Sequence, residues 1–166
     1  MTSYGSLIRT LVALLVLAFM QAASASDWSY YEAKRYGYSM LVPTGVKVKE
    51  REWDGGWGGV AAEFEGVKLY GLAKLGERAS DVEIEKFALR TIGIPASQWK
   101  LIDSGTRQGG WLRYKTFQAT VGAKLYFGGY GVGPKGNYLL FLETTPADYN
   151  DHKADYLKWY ESIRLE

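Results

Sequence analysis

The sequence contains no cysteine and a single histidine. The first absence excludes disulfides, thiolate metal sites, a cysteine nucleophile and a lipid-modified cysteine. The second excludes any multi-histidine metal centre and confines histidine catalysis to His152. Charge of one sign is also missing: 20 basic residues stand against 18 acidic ones, so there is no footprint for nucleic acid or an anionic membrane. Long hydrophobic runs are absent too. The longest, Leu11–Met20, is about half of the ~20 residues a bilayer crossing takes. No Asn-x-Ser/Thr sequon occurs. What is present is ordinary for a folded soluble domain. The chain of 166 residues is 47% apolar, 15% aromatic and 23% charged, which argues against disordered, collagenous and multi-span membrane classes.

The short apolar run follows a start carrying Arg9 and ends in Ala23-Ser24-Ala25. A basic start, a short apolar core and a small-x-small end make a secretory signal peptide over residues 1–25, with cleavage before Ser26. The mature chain is then secreted or periplasmic, with no stable membrane anchor. Residues 26–166 contain no linker, repeat or low-complexity tract, so they read as one domain of roughly 140 residues.

Turn residues and alternation set out the elements. Tyr36–Leu41 and Val46–Trp53 flank Thr44-Gly45 and read as a hairpin. Val60–Glu65 and Val67–Leu75 form another around Gly66. Ser80-Asp81-Val82-Glu83 is a capping box, and Ile84, Phe87, Ala88 and Ile92 follow at helical spacing up to Gly93 and Pro95. Further strands are expected at Trp99–Ile102, Trp111–Thr120, Lys124–Val132 and Tyr138–Thr144, with turns at Ser104-Gly105, Val121-Gly122 and Gly133–Asn137. The unbroken apolar run Tyr138–Leu142 belongs in mid-sheet with both faces covered. A last helix starts with Thr145 as cap, Pro146 at N1 and Asp148 at N3. Its docking stripe is expected to be Tyr149, His152, Tyr156, Trp159 or Tyr160, and Ile163.

Most motif matches have structural explanations. Gly131-Val132-Gly133-Pro134-Lys135-Gly136 fits G-x-G-x-x-G, but a strand follows where a dinucleotide site needs a helix, so it is a hairpin turn. No Gly-Lys pair offers a P-loop. Asp148, Asp151 and His152 could approach a metal, but without a second histidine several other carboxylates would have to join them. No G-x-S-x-G elbow accompanies His152. A carboxylate pair for hydrolysis could draw on Glu50, Glu52, Asp54, Glu63 and Glu65, which otherwise read as solvent-facing strand positions. The sequence calls for no cofactor and no metal.

The segment Trp53-Asp54-Gly55-Gly56-Trp57-Gly58-Gly59 stands apart. Two indoles on a glycine-rich backbone either fold back as a lid over the sheet or stack on a ligand or partner. Trp53, Asp54 and Trp57 are the candidate binding residues. Trp111, Tyr126 and Tyr130 are aromatic strand residues expected to pack.

The order of parts resembles a known family. A strand ending in a Pro-x-Gly turn (Tyr38–Gly45) is followed by mid-chain hairpins and one helix. A glycine-rich turn, an apolar strand and a capped helix (Gly133–Tyr149) then lead to Ser162-Ile163-Arg164-Leu165. This arrangement resembles the PsbP-like family: the extrinsic photosystem II subunit, its bacterial extracytoplasmic relatives and nuclear Ran-binding cousins. The resemblance implies an α+β fold, an α/β/α sandwich around a mainly antiparallel sheet with a docked C-terminal helix. It also implies action by docking or ligand binding without catalysis. Bacterial relatives are often lipoproteins; with no cysteine here, that anchoring does not carry over. The expected function is an extracytoplasmic binding or accessory domain, its partner a protein or small molecule of unidentified kind and not a nucleic acid. The competing expectation is a small hydrolase using a carboxylate pair.

Overall fold

The apolar run Tyr138–Leu142 needs cover on both faces, and the tertiary structure supplies it. A computed structural model describes residues 27–166; the expected signal peptide, 1–25, lies outside the described residues. In chain order the strands are β1 (Trp28–Ala33), β2 (Tyr38–Pro43), β3 (Lys49–Trp53), β4 (Trp57–Phe64), β5 (Val67–Leu75), β6 (Lys100–Gly105), β7 (Arg113–Val121), β8 (Lys124–Gly133), β9 (Gly136–Thr144) and β10 (Arg164–Leu165). The helices are α1 (Asp81–Ile92), α2 (Pro146–Asp151) and α3 (Lys153–Ser162).

Seven strands form one antiparallel sheet in the order β3-β4-β5-β9-β8-β7-β6, with β9 at its centre. Alternation along β9 sends Tyr138, Leu140 and Leu142 to one face, where they meet Met40, Tyr156 and Trp159. Leu139 and Phe141 go to the other face, where they meet Ile84 and Phe87 of α1. The first face is covered by α2, α3 and a small sheet ordered β1-β2-β10. The result is α+β, a three-layer α/β/α sandwich, as the family resemblance implied.

Helix α1 forms as its signals dictate. Ser80 Oγ accepts from the Glu83 amide, Glu83 reaches back to the Ser80 amide, and Gly93 closes the helix in the left-handed conformation (φ 83°). Its buried residues are Ile84, Phe87, Ala88 and Ile92, the stripe read from spacing. The loop ahead of it is tied by Asn137, which is fully buried. Asn137 accepts from the Ala79 amide (2.7 Å) and donates to the carbonyls of Lys74 (3.1 Å) and Glu77 (2.8 Å), satisfying three polar groups at once.

Three expectations change, and two strands were not foreseen. The Tyr36–Trp53 hairpin does not form, because β2 and β3 belong to different sheets. Both edges of β2 are already taken, by β1 and by β10, while β3 pairs with β4. Ser104-Gly105 ends β6 rather than turning. Gly105 lies under the Tyr114 ring, where a Cβ would come within 2.9 Å of the hydroxyl, so this glycine serves close approach. The reversal falls later, where Gln108 bridges Trp111. The last helix breaks at His152 (φ −114°, ψ 18°), so α2 and α3 are separate and His152 is exposed instead of docked. The docking stripe is Tyr149, Tyr156, Trp159 and Ile163. Finally, β1 and the two-residue β10 carried no turn or alternation signal strong enough to mark them.

Candidate functional site

Trp53 and Trp57 face each other across the β3–β4 pair, joined by the short turn Asp54–Gly56. Gly55 (φ 76°) and Gly56 (φ 79°) are both left-handed. A side chain at either would be strained, so here the glycines build a tight turn. Directly opposed residues of an antiparallel pair point to one face, and that face carries α1. The strand positions then separate the two indoles. Trp57, on inner strand β4, lies beneath α1 at 5% exposure and stacks on Phe87, centroids 4.1 Å apart and planes 3° apart. Trp53, on edge strand β3, is only half-buried. Asp54 is exposed at the tip.

Beside Trp53 opens a cleft of about 290 Å³. Arg51, Trp53 and Asp54 form one wall, Phe87, Arg90 and Thr91 of α1 the other, and Tyr70, Phe141 and Glu143 the floor. The Tyr70 ring stacks on Phe141 at 4.8 Å, and Thr91 Oγ1 donates to the Phe87 carbonyl (3.1 Å). Glu143 is engaged from outside by Lys124 (2.9 Å) and Lys68 (3.9 Å). Of the three candidate binding residues, Trp53 and Asp54 line this cleft, while Trp57 holds the hairpin down on α1. Arg51, Arg90 and Tyr70 were missed in the sequence; only the register of β3 on β4 and the docking of α1 bring them together.

A second cleft, of about 380 Å³, runs between β6, β7 and α3. The Tyr114 hydroxyl lies 3.0 Å from Asp103 Oδ2 and 2.9 Å from Gln108 Oε1, its one proton serving one of the two at a time, and Thr116 Oγ1 bonds the Tyr160 hydroxyl (2.8 Å). Burial pushes the Tyr160 hydroxyl up to about 12. Its lining is scattered from Ile102 to Arg164, and no local motif announced it.

The carboxylates weighed for hydrolysis do not gather. Glu50 and Glu52 sit on the exposed edge strand and pair with Arg35 (3.7 and 2.9 Å). Glu63 and Glu65 are exposed at the far end of β4 and in the next turn. The hydrolase alternative therefore has no support. Among the described residues no group of three or more metal-binding side chains occurs. The G-x-G-x-x-G match joins β8 directly to β9.

His152 takes part in a helix-junction network. Its Nδ1 lies 3.0 Å from Asp148 Oδ1, while Asp148 Oδ2 accepts from Thr144 and from Tyr156, each at 2.5 Å. Burial alone would raise the Asp148 carboxyl. The hydrogen bonds from Thr144 and Tyr156 and the proximity of His152 outweigh it and hold the group below its ordinary range. Asp81 behaves alike: burial is outweighed by Arg113 and Lys115, each at 3.0 Å. A depressed folded value stabilises the protein above the unfolded pKa of ~4, and that contribution is lost as pH falls through the folded value. Asp148→Asn should therefore flatten the acid side of the stability profile, read from thermal melts between about pH 2 and 6. A variant with the wild-type acid slope would show that Asp148 carries none of it.

No protein-family model matches this chain, and no curated protein matches it. Among solved structures it is similar to the solution structure of cyanobacterial PsbP (CyanoP) from Synechocystis sp. PCC 6803. The identity is 16%, the match covers 87% of this chain and 96% of that one, and the TM-score is 0.59. At that identity the likeness concerns architecture. With its antiparallel sheet held between α1 and the docked C-terminal helices, this chain has a PsbP-like fold.

Proposed function

We propose that the mature chain is an extracytoplasmic, non-enzymatic binding or accessory domain that docks on a partner through the tip of the β3–β4 hairpin. The observation that carries this reading is the division of labour between the two indoles. Trp57 is buried on Phe87 and fixes the turn, so Trp53 and Asp54 are presented at the mouth of a cleft with no further ordering. A contact surface that is already ordered avoids the entropy an open glycine loop would lose on binding. Tryptophan, here partly exposed, is also a residue type that concentrates binding energy. The PsbP-like fold supports an accessory role, and the leader read at residues 1–25 supports export.

Two measurements test the proposal. Envelope extract is passed over immobilised wild type and Trp53→Ala, and the bound proteins are compared. Loss of specific partners from Trp53→Ala, whose melting should stay near wild type, supports docking through the tip. An unchanged set removes it. N-terminal sequencing of exported protein should begin at Ser26; a return of Met1 or Thr2 ends the signal-peptide reading.

A further inference from the structure

Two cations at the docking tip lack counter-ions. Arg51 of β3 and Arg90 of the last turn of α1 line the same cleft, and neither has a carboxylate oxygen within 4.0 Å among the described residues. By contrast, Arg35 and Arg113 are each paired with acids. Each free guanidinium is held against a ring instead. Arg51 Cζ lies 5.8 Å from the Trp53 centroid, and Arg90 Cζ lies 5.7 Å from that of Phe87. An aromatic contact steadies a guanidinium without using its N–H fork, which stays available for a planar or tetrahedral oxyanion. Arg90 Nη2 reaches to 3.9 Å from the place a Cβ on Gly55 would occupy, so its head group stands at the turn. Of the acids at the cleft, Glu143 is neutralised by Lys124 and Lys68, and Asp54 sits on the exposed tip.

We propose that this cleft binds the anionic head of a small molecule, a carboxylate or phosphate monoester, whose adjoining flat ring stacks on Trp53. A volume of about 290 Å³ holds a head group and one ring, at the low end of small-molecule sites. The proposal rests on the docking reading to the extent that both use Trp53.

The test is titration of uniformly 15N-labelled mature chain, followed at the Trp53 indole N–H. The probes are benzoate and phenyl phosphate, with benzyl alcohol as the neutral counterpart. Binding of at least one anion is expected, with benzyl alcohol about tenfold weaker or worse. Arg51→Gln/Arg90→Gln should weaken the anion by about tenfold or more; both arginines are exposed, and an unchanged melt verifies that the variant folds. Preference for phenyl phosphate identifies a phosphate monoester as the natural head group, and preference for benzoate a carboxylate. Equal binding of benzyl alcohol, wild-type affinity in the double arginine variant, or no shift with any probe at about 10 mM overturns the proposal. The two readings fail separately. If Trp53→Ala loses its captured partner while no anion binds, docking stands and the anion site falls. If anions bind while Trp53→Ala keeps the captured set, the reverse holds.

Discussion

Trp159→Ala should cost about 3–5 kcal/mol and lower the melting temperature by roughly 10 °C or more. Trp159 is fully buried, between the main sheet and β2, with Phe127 edge-on at 6.5 Å. Total stability of a domain this size is only ~5–15 kcal/mol, so loss of one such side chain approaches the whole margin. A second substitution separates packing from hydrogen bonding. The Trp159 indole Nε1 is buried with no hydrogen-bond partner among the described residues. Trp159→Phe removes that donor while keeping most of the apolar volume, and it should cost less than about 1.5 kcal/mol. Lys153→Ala, on the exposed side of α3, should stay within about 0.5 kcal/mol of wild type. Thermal melts of the three variants decide it. A shift of a degree or two for Trp159→Ala would mean that α3 is not held by this face.

The second large effect divides two tryptophans that the sequence presents as a matched pair. Trp57→Ala should cost about 3–4 kcal/mol, because it empties a buried site and removes a parallel stack on Phe87. Trp53→Ala should cost less than Trp57→Ala, about 1–2 kcal/mol, since that ring is only partly buried at the sheet edge and the space it leaves opens to solvent. The binding consequence runs the other way. Trp53→Ala should lose the partner while retaining the fold, and Trp57→Ala should lose the partner only as the fold is lost. Melting curves beside binding assays give both numbers. Equal destabilisation by the two changes would refute the assignment of one ring to packing and the other to contact.

Much of the architecture was readable locally because local chemistry decides it. Ser80 and Glu83 can cap only a helix that begins between them, and Gly93 can close it only in a conformation other residues avoid. Tyr138–Leu142 has no polar face to expose, so it had to be central. The same reasoning failed for the first hairpin. Thr44-Gly45 does turn, with the Val46 amide on the Pro43 carbonyl at 3.1 Å, but a turn does not choose the partner of the strand it ends. The edge of β2 that β3 would need is occupied by β10, whose residues lie at the other end of the chain. His152 misled by periodicity: its spacing suits a continuous helix, while the carboxylate of Asp148 draws it outward at the break.

The sequence by itself determined most of the secondary elements, the apolar faces that had to meet, and the classes of chemistry closed by the absence of cysteine and the presence of a single histidine. It also determined that two indoles flank a glycine turn, which is a fact about residue order. Which indole is buried is a different kind of fact. It depends on β4 being an inner strand and β3 an edge, and on α1 covering the one and stopping short of the other. The same holds for the free arginines, from strand and helix about 40 residues apart in a chain whose contacts are set by sheet order. Local propensity acts over a few residues. Burial and the meeting of distant charges follow from how whole layers pack, and that only the tertiary structure decided.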